Sequence, residues 1–309
     1  MEKMILHMWD ASSLAGAINN GTIDANKHSI SNSSTIKTIY SNLKVYSQNV
    51  NLGHPNFPVS HTGFVATAET EAGQIPVISF KGTDGGVDGL NNLQANWTKF
   101  LDGTDVHTAF YQAANAFYPD IVRDEIVKDA LNNNKPIYLT GHSKGGAIAT
   151  LIARMITINK PGKKLKVFTF GSPRVGSSQF ALKYEDKNEI DHLRVESCGD
   201  LIPHLPLYKD EYKLPNSYLD FIPKILIPSS LYEYASVGKY QPVNYDSNYI
   251  YNVEGIKPAQ SKIGTSKNDL NAFYSALKSL IKDNGKNIFG DKHGKYFPSY
   301  NTNRSVRLR

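Results

Sequence analysis

The 309-residue chain is 40% hydrophobic, with 34 Lys plus Arg against 28 Asp plus Glu and a single cysteine. That length can bury a substantial core, in one large domain or two of ordinary size. No apolar run approaches the roughly 18 residues of a membrane-spanning helix, and Glu2, His7 and Asp10 interrupt the start before a secretory h-region forms. Cys198 has no cysteine to pair with inside the chain, which suits either a reducing, cytoplasmic compartment or export without a cleaved signal peptide. The formal charge of +6 comes without a sustained Lys/Arg run and without a zinc or RNA-binding pattern. Solubility or attraction to anionic lipid headgroups accounts for it better than nucleic acid does. No metal or cofactor is expected, and a charge count names no protein partner.

Residues 1–60 are rich in Asn and Ser, carry short apolar pieces such as Ile36–Val45, and read as a helical lead-in. Gly63–Thr67 and Ile75–Phe80, joined through Glu71-Ala72-Gly73-Gln74, read as an antiparallel hairpin. Phe110, Ala113, Ala114, Phe117, Ile121 and Val122 recur at helical spacing, with Pro119 expected to split the region into two helices. Pro136–Thr140 is a short apolar strand that stops at Gly141-His142-Ser143-Lys144-Gly145-Gly146 and passes directly into the Ala-rich run 147–154. Leu165–Phe170 and Ile190–Glu196 are further strand candidates with a helical stretch between them. Strands alternating with helices predict a largely parallel sheet covered on both faces.

The chemistry gathers at Gly141-x-Ser143-x-Gly145. In a nucleophile elbow a strained strand-to-helix turn lifts a serine hydroxyl clear of the sheet, and small neighbours permit the close backbone approach. A bare match arises by chance in roughly one chain in ten of this length. The strand before it and the helix after it set this one apart from a merely Gly-rich turn. A serine hydroxyl needs a base, and the base a carboxylate, in the chain order Ser, acid, His. Only His192, His204 and His293 follow Ser143. His192 falls inside a predicted strand. Asp200, just past the strand ending near Glu196, is the acid candidate, although a solvated turn would also suit it. His204 is four residues from Asp200 in a Pro-flanked segment, whereas His293 sits in the turn-rich Gly290-Asp291-Lys292-His293-Gly294 and is the preferred base. The oxyanion needs two donors. The amide of Lys144 follows the nucleophile, and Thr83, at the end of Ser79-Phe80-Lys81-Gly82-Thr83, is placed to give the second.

Several segments resemble the class 3 lipase family, the fungal-lipase-like branch of the α/β-hydrolases. Ser79–Thr83 is similar to its oxyanion segment, Asn96-Trp97 and Val106-His107 to the pairs that follow, and Thr140–Gly146 to its elbow. Thr169–Gly176 is close to its Phe-Gly-Ser-Pro-Arg-Val-Gly, and Gly199–Pro206 resembles the segment carrying its acid. The resemblance implies one α/β-hydrolase domain over 1–309, with a mostly parallel central sheet flanked by helices, and about 207–245 as a candidate lid or cap insertion. It implies a catalytic Ser143, Asp200 and His293, oxyanion roles for Thr83 and Lys144, and scaffold roles for His107, His142, Ser172 and Arg174. Lys144 departs from the family's usual Leu and is expected to make the local surface cationic. Gly85–Leu101 and Tyr218–Pro228 are candidate lids, though buried packing would explain them equally.

The expected function is hydrolysis of fatty-acyl esters of lipids, as a phospholipase A1 or a lipase working at a membrane surface. A thioesterase or acyltransferase would use the same acyl-enzyme. A non-catalytic lipase-like interaction protein would keep only the fold.

Overall fold

The computed structural model describes residues 2–18, 28–31, 37–50, 59–83, 96–186, 188–197, 200–206 and 234–243. Helix α1 (Glu2–Ala17) comes first, then β1 (His28–Ser31) and β2 (Lys37–Val50). β3 (Val59–Thr70) and β4 (Gly73–Phe80) form a tight hairpin in which Gly73 takes φ +94°. After β5 (Trp97–Lys99) and β6 (Asp105–His107) come α2 (Thr108–Arg123) and α3 (Glu125–Asn132). β7 (Ile137–His142), α4 (Lys144–Asn159) and β8 (Leu165–Phe170) make the central unit. β9 (Gly176–Ser177), α5 (Ser178–Glu185), β10 (Ile190–Ser197), a 3-10 turn at Ile202–His204, β11 (Tyr234–Ala235) and β12 (Lys239–Val243) follow.

The main sheet runs β1-β2-β3-β4-β7-β8-β10-β12. Its first four strands are antiparallel and every pairing from β4 to β12 is parallel. This is the mostly parallel, helix-flanked sheet of an α/β-hydrolase. Alternation sorts side chains between the two faces. Val65, Ile78, Phe80, Ile137 and Leu139 join the core beneath α2 and α4, while Phe64, Ala66, Val77 and Tyr138 join the one beneath α1. Helix α4 is buried from Lys144 to Thr157, as expected of a helix that is apolar nearly all round. On the other face α1 is held by hydroxyls from the sheet: Ser79 donates to the Ala11 carbonyl at 3.0 Å and Thr140 to that of Met8 at 3.1 Å.

Three expectations change. Residues 1–60 are not helical throughout, because Lys37–Val50 is a strand pairing along the whole outer edge of β3. Pro119 lies inside α2 and does not break it. The apolar face of Phe110, Ala113, Ala114, Phe117 and Ile121 continues across it, and the break falls at Asp124, whose carboxylate accepts the Ile126 and Val127 amides to start α3. Within the anticipated insertion at 207–245, Lys239–Val243 is the last strand of the main sheet, paired with β10, while 207–233 and 244–245 lie outside the described residues.

His192 is buried between the hydroxyls of Thr169 and Tyr184, each 3.0 Å from a ring nitrogen. Burial, reinforced by Arg194, pushes its pKa down to about 3. Burial and the charge of Lys144 do the same to His61. The folded state therefore declines protons that the unfolded chain accepts below about pH 6.5, so stability is full above that value and falls as pH drops toward 3. Each histidine contributes up to about 1.4 kcal/mol per pH unit. Glu71, held down to about 2 by its own backbone amide and by His7, adds its loss only below about pH 4.5. Urea titrations between about pH 7 and 4.5 should show a steady fall, shallower by one proton in His192→Gln; a flat profile would refute the assignment.

Candidate active site

Parallel pairing sets the ends of β4, β7, β8 and β10 level along one edge. Phe80 faces Gly141, His142 faces Phe170, and Phe170 faces Val195. Loops leaving the carboxyl ends of such strands are where α/β sheets place ligands. Ser143 follows β7 and is the residue on which α4 starts. Its amide donates to the Phe170 carbonyl at 2.8 Å, and its carbonyl accepts the first helical bonds from Gly146 and Ala147.

Ser143 has φ 54° and ψ −128°, a conformation that residues with a Cβ adopt only when their surroundings over-determine it, at a cost of about 1–3 kcal/mol. The neighbouring glycines supply that constraint. A Cβ on Gly145 would stand 2.1 Å from the Phe80 carbonyl oxygen, one on Gly141 2.2 Å from the Gly145 carbonyl carbon, and one on Gly146 2.7 Å from Cβ of Ser172. The segment after β4 passes equally close, since a Cβ on Gly82 would lie 2.9 Å from the His142 carbonyl and 3.5 Å from Cβ of Ser143. Thr83, partly exposed, continues this segment.

The amide of Lys144 belongs to the first turn of a 16-residue helix, where no preceding helical carbonyl exists to accept it and the helix dipole is positive. The Lys144 side chain is buried, so its charge lies inside the site and not on the surface expected from the sequence. Its charge acts on His61, a buried residue of β3.

Asp200 lies beyond β10, two strands from β7 in sheet order, so the strand ends flanking Ser143 and Asp200 are about 10 Å apart. It is buried, not a solvated turn residue; its Oδ1 accepts the Ile202 amide at 3.0 Å, and its own amide donates to the Ser197 carbonyl. Arg174 clamps the same loop, donating from Nη1 to the carbonyls of His204 and Pro206 at 2.7 and 3.1 Å. His204 itself is buried in the 3-10 turn. Trp9 packs edge-on against His142 at 5.7 Å, and His107 stacks on Phe110 at 4.1 Å. His293 and the second candidate lid, Tyr218–Pro228, lie outside the described residues. Of the first, Gly85–Leu101, the described end is no free flap: Trp97 stacks on Tyr234 at 4.0 Å and Phe100 is a core residue. His61 lies just before the Gly63–Thr67 strand that the sequence marks, because β3 begins at Val59. Among the described residues no cluster of His, Cys, Asp and Glu could hold a metal ion.

The model of the class 3 lipases matches residues 77–209, from β4 past Asp200. Residues 77–209 belong to the class 3 lipase family. The chain is 42% identical over 88 residues to Lipase ZK262.3 of Caenorhabditis elegans, covering 26% of this chain and 25% of that protein. It is 26% identical over 207 residues to Phospholipase A1-II 5 of Oryza sativa subsp. japonica, covering 64% and 37% respectively. The chain spans only 15–42% of the length of the curated relatives it matches. Among solved structures, the Rhizomucor miehei lipase propeptide complex superposes with a TM-score of 0.60 at 20% identity, over 91% of this chain and 80% of that one. That likeness shows the α/β-hydrolase fold. The glycine contacts of the class 3 elbow give a direct test. Gly145→Ala should cost about 3 kcal/mol or more, since the added carbon meets backbone that has no rotamer to yield. Gly16→Ala, with nothing within 4 Å of its added carbon, should be neutral or stabilising by up to about 1 kcal/mol. Thermal melts compare the two, and an equal response would remove the steric account.

Proposed function

We propose that the chain is a serine ester hydrolase acting on fatty-acyl esters of lipids at a membrane surface, as a phospholipase A1 or a lipase. Ser143 is the nucleophile, His293 the base, Asp200 the acid that orients it, and the amides of Thr83 and Lys144 hold the oxyanion. The observation that carries this is the backbone of Ser143, held at positive φ between the end of β7 and the first turn of α4. The class 3 match over 77–209 supports it, as do the names of the lipase and phospholipase A1 relatives.

In this mechanism Ser143 Oγ attacks the acyl carbonyl carbon and its proton passes to His293. Charge gathers on the carbonyl oxygen, where each preorganised amide donor is worth about 3–4 kcal/mol in the transition state. The intermediate collapses, His293 returns the proton to the departing alcohol, and an acyl group remains on Ser143. Water, deprotonated by the same histidine, then releases the fatty acid. The buried carboxylate of Asp200, on a loop tied down by Arg174, fixes the ring and stabilises its charged form.

Acyl release from p-nitrophenyl esters, mixed phospholipids and triacylglycerol tests this. Ser143→Ala should lose at least about a thousandfold in kcat; full activity in that variant would overturn the mechanism. Transfer of the acyl group to an added alcohol in preference to water would move the assignment to an acyltransferase. His293→Ala should cost on the order of a thousandfold or more in kcat at unchanged melting temperature. His204→Asn should act through stability, because His204 is buried in the turn that Arg174 holds. Loss of kcat in a fully stable His204 variant would transfer the base role to it.

A further inference from the structure

We infer that His61 is a specificity-determining residue of this site: beside Lys144, it receives the phosphate of a glycerophospholipid, donating an imidazole N–H to a non-bridging oxygen. This rests on the ester-hydrolase function proposed above and adds what lies on the headgroup side of the scissile bond.

Pairing of β3 with β4 locates His61. Gly63 faces Phe80, and the Lys81 amide donates to the Thr62 carbonyl at 2.8 Å. One step further along β3, His61 comes level with Gly82, the residue in contact with the turn that holds Ser143. Alternation puts His61 on the same face as Val65, a core residue beneath α2 and α4. It therefore stands toward the end of that face at which α4 starts, and the charge it feels is that of Lys144, the first residue of that helix.

His61 is 3% exposed, and among the described residues neither of its ring nitrogens has a hydrogen-bond partner. Two other buried histidines, His192 and His7, use both: His192 binds Thr169 and Tyr184, and His7 binds Thr38 and Glu71. A buried polar group left without partners is costly unless something that binds there supplies them. Burial, and then the charge of Lys144, keep the ring neutral, so it offers one donor and one acceptor and brings no second positive charge.

The sign of the surroundings selects the ligand. The N-terminus of α4, the ammonium of Lys144 and an N–H donor all favour an anionic oxygen. A glycerophospholipid carries such an oxygen only a few bonds from its scissile esters. A triacylglycerol brings no anion, and its arrival would leave His61 still without a charged acceptor.

The test compares kcat/KM on monomeric dihexanoylphosphatidylcholine and on dissolved tributyrin, for proteins that all retain Ser143. In His61→Leu the phospholipid-to-tributyrin ratio should fall about tenfold or more, the weight of a hydrogen bond to a charged group, with the change carried by KM on the phospholipid. His61→Gln, which keeps an N–H donor, should restore the ratio to within about threefold of wild type. His61→Ala gives the same measurement should leucine not be accommodated. A ratio within about twofold of wild type in an active Leu or Ala variant would overturn the assignment and leave the hydrolase function standing. So would parallel loss of kcat on both substrates together with the melting temperature, which marks a structural role. Wild-type protein inactive on both esters would overturn the hydrolase function, and this inference with it.

Discussion

The first turn of α4 lies so close to the ends of β4 and β7 that no side chain fits between them. With Gly145 jammed on the Phe80 carbonyl and Gly141 on Gly145, the helix can start in only one place. The chain between strand and helix must then turn within a single residue, and that residue is Ser143 at φ 54°. The strain is an outcome of packing on both sides of the turn. It persists because the alternative, a relaxed turn, would pull α4 out of a core in which it is buried along nearly its whole length.

The same contact organises charge. Bringing α4 onto the strand ends points the positive end of its dipole at the edge where Thr83, Ser143 and Asp200 emerge. Lys144 adds a full charge from a buried position, and His61 answers by staying neutral. A second protonated group there would repel the first in a poorly solvated space, close to where a negative oxygen is proposed to develop. Asp200 stands two strands away.

Much of this was legible in the sequence because the relevant signals are local. The run Pro136–Gly146 names its strand, its turn and the following helix in one stretch, and a parallel sheet follows from continuous apolar strands alternating with helices. The hairpin of β3 and β4 announces itself through Gly73, the residue that must take positive φ. What was not legible depended on distant partners. Lys37–Val50 has weak alternation and becomes a strand because the edge of β3 needs covering; its register even shifts between Ser41 and Lys44. Pro119 removes one helical bond from α2, but a buried apolar face outweighs that loss. Lys144 reads as a surface residue until the fold buries it at the start of α4. Lys239–Val243, which pairs with β10 from more than forty residues away, could not be told from an insertion without the sheet it completes.

Helix α1 completes the constraint from the opposite face. A turn strained at Ser143 would relax if β7 could move away from α4, and α1 removes that freedom. Its backbone is pinned by hydroxyls from the two strands that flank the turn, Ser79 of β4 and Thr140 of β7. Its Trp9 packs edge-on against His142, next to Ser143, and against Phe170, whose carbonyl accepts the Ser143 amide. Helix-to-sheet hydrogen bonds of this kind are directional, whereas apolar contact alone would let α1 slide along its apolar surface. The polar links of His7 to Thr38 and Glu71, and of Tyr40 to Asp10, fix the helix against β2 and the hairpin as well. The serine turn is therefore gripped between two helices on opposite faces of one sheet, the near one starting on Ser143 and the far one bearing on its neighbours His142 and Phe170.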